Sequence, residues 1–291
     1  LNSEFKEITT IVPVAFYGDR ALFAGPVSDT DAIEYFSIST DTSSTSFGNL
    51  TAGRYQLSSV SSGTYGVFAG GNVSDNVIDY VTIATAADAA DFGDLISSSK
   101  EQASASDGTY GIFAGGTRGN AIDYITIATP ANATDFGDLT ISPQYGPAGI
   151  SNSVYGVIAG GFTSANSNVI QYVTLATPSN ATDFGDLTVA RNSCAGTSDN
   201  TRGVIFGGYN SGDRNEIDYI TISTPSNATD FGDLITATSP NSAVSDGTTA
   251  ITPRSGMVAT QKVTIQTTGN AAYGISLIYD QRLGTGTSGN A

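Results

Sequence analysis

Residues 122–139 read IDYITIATPANATDFGDL, and residues 217–234 repeat this stretch almost letter for letter as IDYITISTPSNATDFGDL. Related copies run from Tyr80 to Leu95 and from Tyr172 to Leu187, and a weaker first copy runs from Tyr35 to Leu50. A unit repeated at a fixed period cannot bury its own apolar face, so it must stack on its neighbours. The sequence therefore predicts a repeat architecture, with specificity in the positions where the copies differ.

A glycine step before each copy sets the period. Its first glycines are Gly25, Gly70, Gly115, Gly160 and Gly207. Successive steps are 45, 45, 45 and 47 residues apart. Each unit holds four short β-rich runs separated by turn residues, and the run Val169 to Leu175 carries apolar groups on both faces, as a strand between two sheets requires. Four strands in roughly 45 residues are the size of one β-propeller blade.

The count of units predicts an all-β fold, a six-bladed β-propeller with four-stranded antiparallel blades of about 45 residues. The predicted blades lie near residues 5–50, 51–95, 96–139, 140–187, 188–234 and 235–280. Residues 281–291, rich in Gly, Thr and Ser, are expected to form a flexible C-terminal tail. One outer strand is left over. Either the N-terminal strand Phe5 to Thr9 closes the last blade and hides its edge, or the strand near Tyr273 does so.

The composition excludes several functional classes. The chain has 11 basic and 27 acidic residues and a net charge of −16, which argues against binding to nucleic acid or to an anionic membrane. It has no histidine, which excludes Ser-His-Asp and Cys-His catalysis and His-rich metal sites. Cys194 is the only cysteine and is expected to be a buried small hydrophobe. No apolar run reaches 18 residues, and a start at Leu1 indicates a processed product or part of a longer chain.

The loops on one predicted face vary between the copies. In a propeller the loops that join one blade to the next, and those that join the second strand to the third, emerge on the same face. The residues predicted to contact a partner there are Arg54, Tyr55, Lys100, Arg118, Tyr145, Phe162, Arg191, Asn192, Tyr209 and Arg214. Flat aromatic rings beside amide and guanidinium donors suit sugars or protein loops. The alternative is that these loops are solvated and vary freely.

The acids of the repeated Asp-Phe-Gly-Asp block, such as Asp135 and Asp138, invite a catalytic or metal-binding interpretation. Catalytic carboxylates form one pair in one pocket, whereas this pair recurs in four blades, so turn capping and solubility are favoured. No cofactor or metal is predicted, although calcium at some of these acids is compatible with their oxygen ligands. The sequons at Asn132 and Asn180 lie in a repeated turn, where a left-handed Asn explains them without glycosylation.

The pattern of a Gly-Gly step after an apolar strand, then a Tyr, then an aromatic about 23 residues past the glycines, resembles the kelch repeat. An Arg follows this aromatic at Arg54 and Arg191, and Phe stands where kelch repeats usually have Trp. The phrase in residues 122–139, alternating with an apolar strand that ends in Gly-Gly, is similar to kelch-like repeat proteins of tailed bacteriophages, especially marine ones. That resemblance implies a virion component such as a tail-fibre domain or a capsid-surface decoration.

The leading hypothesis is a non-enzymatic virion module on the particle surface, with other virion proteins as partners and with a host surface glycan or protein contacted through the variable face. A purely architectural decoration protein of capsid or tail is the first alternative. A glycan-processing enzyme, which needs acids with an Arg or Tyr in the central channel, is the second. A secreted or cell-surface bacterial protein is the alternative location. Neither nucleic acid nor membrane insertion is expected.

Overall fold

The computed structural model of the chain describes residues 17–26, 30–73, 76–254, 256–281 and 284–289. These residues form six four-stranded antiparallel sheets arranged as the blades of a propeller. The prediction of an all-β, six-bladed β-propeller is therefore confirmed. The helices in the described ranges are short 3-10 turns such as Ile38–Thr40 and Gly116–Arg118, and none is long or apolar enough to cross a membrane.

The blades follow the chain order and are built from strands with these bounds. Blade 1 contains β1 (Arg20–Ala24), β2 (Ala32–Ser37) and β3 (Thr45–Asn49); blade 2 contains β4 (Ser58–Ser61), β5 (Tyr65–Ala69), β6 (Val77–Thr82) and β7 (Ala90–Asp94). Blade 3 contains β8 (Ala103–Ser106), β9 (Tyr110–Ala114), β10 (Ala121–Thr126) and β11 (Thr134–Asp138); blade 4 contains β12 (Ala148–Ser151), β13 (Tyr155–Ala159), β14 (Val169–Thr174) and β15 (Thr182–Asp186). Blade 5 contains β16 (Ala195–Ser198), β17 (Arg202–Phe206), β18 (Arg214–Thr221) and β19 (Thr229–Thr238); blade 6 contains β20 (Val244–Ser245), β21 (Thr249–Pro253), β22 (Ala259–Thr264) and β23 (Ala272–Ser276). The last strand, β24 (Thr285–Gly289), is the inner strand of blade 1.

The C-terminal strand closes the ring. β24 pairs antiparallel with β1, from Arg20 opposite Gly289 to Ala24 opposite Thr285. The inner strands contact one another in the order β4, β8, β12, β16, β20, β24 and back to β4. The expectation of a flexible tail is therefore wrong for this segment. Its small residues suit the crowded centre of the ring, because a Cβ at Gly286 would lie 2.3 Å from the Phe23 ring.

The structure shows which strand forms the outer edge of blade 6. β23, which contains Tyr273, is the outer strand of blade 6, so this blade has four strands without help from the N-terminus. Tyr273 stands opposite Gln261, the place that Asp230 takes opposite Asp218 in blade 5, and it is 64% exposed. It is therefore not the counterpart of the buried Phe in the other blades. The segment from Phe5 to Thr9 lies outside the described residues.

Aromatic stacks fill the space between blades near one end of the ring. In blade 4, Tyr155 contacts Tyr172 edge to face at 5.4 Å, and Tyr172 contacts Phe184 in the same way at 5.7 Å. The three rings pack against the next blade, where Ile220 and Ile222 belong to the same buried cluster. Such pairs contribute about 0.5–1.5 kcal/mol beyond their buried area. The Tyr and Phe of the repeat are thus core residues between blades.

The glycine of the Phe-Gly-Asp block allows the next blade to approach closely. Gly185 has φ +147°, and a Cβ there would lie 2.5 Å from the carbonyl oxygen of Ser226 in the following blade. The pairing of β14 with β15 shifts register at the neighbouring step, between Ile170 and Gln171. A backbone bulge and a missing side chain together let the turn of one blade seat against the outer strand of the previous one.

Candidate functional site

The upper face of the propeller is the face that carries the blade-to-blade loops and the loops between second and third strands. At one position on this face, in blades 2 to 5, a residue of the first loop receives a backbone hydrogen bond from a residue of the second. We call these the variable pairs: Tyr55 with Asn72, Lys100 with Thr117, Tyr145 with Phe162, and Asn192 with Tyr209. The N–H···O distances are 3.0, 3.2, 3.0 and 2.7 Å. The backbone geometry is therefore shared, while the side chains differ in every blade.

Two neighbouring variable pairs form a continuous aromatic and amide surface, which we call the upper-face cluster (Tyr145, Phe162, Asn166, Asn192 and Tyr209). The Tyr145 and Phe162 rings lie 6.1 Å apart at 43°. The Asn192 side chain donates to Asn166 Oδ1 at 2.6 Å and so joins blade 5 to blade 4. Tyr145 and Tyr209 remain 42% and 46% exposed. This cluster presents two accessible rings held in place by backbone and amide hydrogen bonds.

Two of the predicted contact residues are instead inside the protein. Arg54 and Arg191 are fully buried, with Nη1 atoms 2.8 Å from Asp79 and 2.9 Å from Asp218 respectively. A guanidinium without exposed surface cannot touch a partner, so the structure removes both from the candidate surface. Arg118 is mostly covered and pairs with the buried Asp123. The sequence placed these cations correctly on the loops but not the direction of their side chains.

Arg214 lies at the edge of the upper face and is held by its own blade. Its guanidinium contacts both carboxylate oxygens of Glu216, and it keeps about a third of its side-chain surface. These hydrogen bonds raise the pKa of Arg214 above its ordinary value. Burial alone would raise the pKa of Glu216, but the bonds from Arg214 bring it below its usual range. This pair is a fixed ionic group beside the cluster.

A buried acceptor position, which sequence reasoning missed, links every blade to the one before it. It lies on the third strand and is occupied by Glu34, Asp79, Asp123, Gln171, Asp218 and Gln261, all with no exposed surface. Each side chain accepts a hydrogen bond from a backbone N–H near the C-terminal end of the outer strand of the preceding blade or just after it. The donors are Ile278, Thr51, Ile96, Thr140, Thr188 and Thr236 in the same order.

Three of the four acids at the acceptor position face an arginine, and the fourth, Glu34, is held by hydrogen bonds from neutral groups. Asp79, Asp123 and Asp218 each face an arginine, whereas Gln171 and Gln261 are neutral. Glu34 receives hydrogen bonds from Ser44, Gln281 and the Ile278 N–H, and so joins blade 6 to blade 1. A buried carboxylate needs an ion pair or several hydrogen bonds to be stable, and each of the four acids has one or the other. A polar residue directly before the repeated Tyr of an apolar strand was the available sequence signal.

The central channel is narrow and polar. Its cavity has a volume of about 120 Å³ and is lined by the inner strands. Each inner strand has a serine at or next to its last residue: Ser61, Ser106, Ser151, Ser198, Ser245 and Ser288. The hydroxyl of Ser106 donates to the Ser61 carbonyl, and that of Ser198 to the Ser151 carbonyl. Inner-strand carbonyls, which lack a fifth strand to pair with, are satisfied in this way by the neighbouring blade.

Tyr17 lies at the lower end of this channel. Its hydroxyl is 2.7 Å from Ser198 Oγ and 3.3 Å from the Ser151 carbonyl, and its ring faces Gly247 of blade 6. Burial raises the pKa of Tyr17 to about 12. Cys194 lines the other end of the channel, and burial raises the pKa of its thiol to about 11. A protonated, covered thiol fits the small hydrophobe that the sequence predicted.

The repeated turn on the rim has a structural explanation in its side chains. The Oδ1 atoms of Asn132, Asn180, Asn227 and Asn270 each accept from an outer-strand N–H of the preceding blade, at 3.0 to 3.1 Å. Within the described ranges, none of these asparagines has positive φ, so the expected left-handed conformation is wrong. The donors are the second acids of the four Asp-Phe-Gly-Asp blocks: Asp94, Asp138, Asp186 and Asp233. No group of three potential metal ligands occurs among the described residues.

No protein-family model matches this chain, and no curated protein matches it significantly. The assignment of a function therefore depends on the geometry of the upper face and on the resemblance of the repeat.

Proposed function

We propose that this propeller is a non-enzymatic binding module that recognises its partner through the upper-face cluster. The observation that carries the proposal is the set of variable pairs, in which one backbone arrangement presents different side chains in blades 2 to 5. A rigid scaffold with variable loop residues is the usual arrangement of binding surfaces. The lower turns, in contrast, repeat nearly the same residues and use them to hold adjacent blades together.

The chemistry of the cluster favours a partner with flat or polyhydroxyl groups. Exposed Tyr145 and Tyr209 offer apolar ring faces and hydroxyl groups, and the amides of Asn166 and Asn192 add donors and acceptors. A surface glycan or a protein loop has matching groups. The chain's charge of −16 disfavours polyanionic partners.

The contacts and the burial of the four carboxylates favour a structural role for these side chains. Glu34, Asp79, Asp123 and Asp218 are all occupied by blade-to-blade hydrogen bonds and have no exposed surface. A general acid or base must reach the atom whose proton it transfers. This geometry favours binding over catalysis as the role of the propeller.

We further propose that the module belongs to the surface of a virion and contacts host-surface glycan or protein. The support is the resemblance of residues 122–139 and 217–234 to kelch-like repeats of tailed bacteriophages. The test is binding of the labelled chain to candidate host cells, beside a variant with Tyr145→Ala and Tyr209→Ala. Tyr273→Ala, which removes an exposed ring from the outer strand of blade 6, is the matched control. We expect saturable binding that is lost in the double variant and kept in the control.

The partner class follows from pretreating the cells. Periodate oxidises sugar diols and should abolish binding to a glycan, whereas protease should abolish binding to a protein. Equal binding by the wild-type chain and the folded double variant would contradict recognition through the cluster.

An architectural role is the second candidate, and blade 6 is the observation that favours it. Exposed large hydrophobic residues gather in and beside this blade: Ile235, Met257, Val258, Tyr273, Ile278 and Tyr279. Clustered exposed apolar side chains mark protein–protein contacts. Docking to a capsid or tail protein through blade 6 predicts cosedimentation with particles that survives the double variant.

A further inference from the structure

The junction between blades 6 and 1 lacks the aromatic stack that fills the other five. In those junctions the third strand carries a Tyr that contacts the outer-strand Phe edge to face, at 5.6 to 6.1 Å. Blade 6 has Lys262 at the Tyr position, since Lys262 pairs with Ala272 as Tyr219 pairs with Thr229. Gly274 follows Tyr273 where Phe231 follows Asp230. Both rings of the stack are therefore absent from this junction.

The third member of the stack is missing as well. The first residue of the second strand is Tyr65, Tyr110 or Tyr155 in three blades and Arg20 or Arg202 in the other two. Blade 6 has Thr249 there. Phe23 and Phe36 stack at 5.8 Å and, with Ile275 and Leu277, fill the upper part of the junction. They do not replace the rings at the lower end.

A groove of about 340 Å³ remains at this place, and we call it the blade 6–1 groove. Its lining includes the side of blade 6 at Thr249, Lys262 and Ala272 and the side of blade 1 at Ile38 and Ser39. Ile38 corresponds to Ile83, Ile127 and Ile222, which neighbouring aromatic stacks cover elsewhere. Ile38 is itself only 2% exposed, because it packs in the cluster of Phe23 and Phe36. The volume is in the range that holds an organic side chain or small ligand.

The groove also provides a cation where a ring is absent. In blades 1 and 5 the guanidinium carbons of Arg20 and Arg202 lie 4.7 and 4.5 Å from the centroids of Tyr35 and Tyr219. In the groove the cation is Lys262, which keeps 26% of its side-chain surface and pairs with the exposed Asp41. The rest of the lining mixes polar side chains, such as Thr264 and Asn270, with Val263. A cation at the wall of such a slot attracts the face of an aromatic ring.

We propose that the blade 6–1 groove is a docking site for an aromatic side chain, tyrosine or phenylalanine, of a partner polypeptide. The incoming ring takes the place that Tyr219 or Tyr172 takes at other junctions, between Lys262 and Ala272 of blade 6 and Ser39 of blade 1. The five filled junctions show what this space accommodates: rings supplied by β-strand residues. The groove lies at the lower face, so this inference stands apart from recognition through the upper-face cluster.

The test is a titration followed by NMR of the Ile38 and Ala272 methyl groups. The probes are p-cresol, which is the tyrosine side chain, and 4-methylcyclohexanol, which has similar size without aromaticity. We expect saturable shifts with p-cresol and a dissociation constant about fivefold lower than for the alcohol, the preference that one aromatic contact provides. Equal affinities, or no saturable shift up to the solubility limit, would overturn the proposal.

Two substitutions bring into the groove residues that other blades already use. Lys262→Tyr restores the ring found in five blades, so this variant should fold and lose p-cresol binding at least tenfold. Thr249→Arg restores the cation of blades 1 and 5, which stacks on a ring there, so it should keep or strengthen p-cresol binding. Unchanged binding in Lys262→Tyr would refute the location. A third arm compares the blocked tripeptides Thr-Tyr-Thr and Thr-Leu-Thr. Binding of p-cresol without binding of the tyrosine peptide would overturn the polypeptide as occupant.

Discussion

The buried Arg54–Asp79 pair gives the sharpest test of how the blades are held together. Asp79 accepts from the Thr51 N–H at 3.0 Å and from its hydroxyl at 2.6 Å, and it contacts Arg54 Nη1 at 2.8 Å. Arg54 also donates to the Gly70 carbonyl at 2.9 Å. Removing either partner leaves an uncompensated buried charge, which costs about 3–5 kcal/mol. We therefore expect Arg54→Met and Asp79→Gln to be strongly destabilising as single changes.

The double change should recover most of this loss. Blade 4 already has a glutamine at this position, and Gln171 accepts from the Thr140 N–H and hydroxyl at 2.6 and 2.7 Å. Asp79→Gln with Arg54→Met reproduces that neutral arrangement, so we expect a coupling free energy above about 2 kcal/mol. Urea unfolding followed by tyrosine fluorescence and circular dichroism gives the four free energies of the cycle. Additive losses in the double variant would refute the match between charge and acceptor type.

Three further predictions concern single positions. Tyr17 should titrate near pH 12 in absorbance at 295 nm. Because its pKa in the folded state lies above the usual value of about 10, it contributes stability below pH 10 that is lost as the pH rises towards 12. Tyr17→Phe should remove that loss of stability. Gly185→Ala should destabilise the protein by about 1–3 kcal/mol in urea unfolding, because its φ is +147° and its Cβ would meet the Ser226 carbonyl, whereas a Ser226→Ala control should change little. Cys194 should react with Ellman's reagent only at the rate of unfolding, and rapid reaction of the folded chain would contradict its burial.

The sequence predicted the architecture because the repeat is dense in local information. The Gly-Gly step, the third-strand Tyr and the Phe-Gly-Asp block recur in register, and each corresponds to a defined place in a blade. The ring closure was not predictable in the same way. Thr285 to Gly289 has the composition of a linker, and its strand exists because β1 and the channel of small residues accept it, which is tertiary information.

For the candidate site, too, the sequence indicated some features and could not indicate others. Loop variability pointed to the upper face as the candidate surface, and Tyr145 and Tyr209 are exposed there. Loop variability could not show that Arg54 and Arg191 turn inward. The sequence around a loop cation gives the same pattern whether its side chain faces solvent or a buried carboxylate. The acid in Ile-Asp-Tyr was the missing clue, because a charged residue inside an apolar strand needs a partner. The blade 6–1 groove exists because blade 6 lacks the Tyr and the Phe of the repeat. Only the pairing of the strands shows which residues take their places.

Recognition through the upper face is tested most directly by hydroxyl-radical footprinting of the chain on host cells, the partner that we propose. We expect Tyr145 and Tyr209 to become protected in the bound state while Tyr273, the most exposed tyrosine of blade 6, is still oxidised at its free rate. Protection of Tyr273 with Tyr145 and Tyr209 unchanged would contradict it and would place the recognition surface on blade 6.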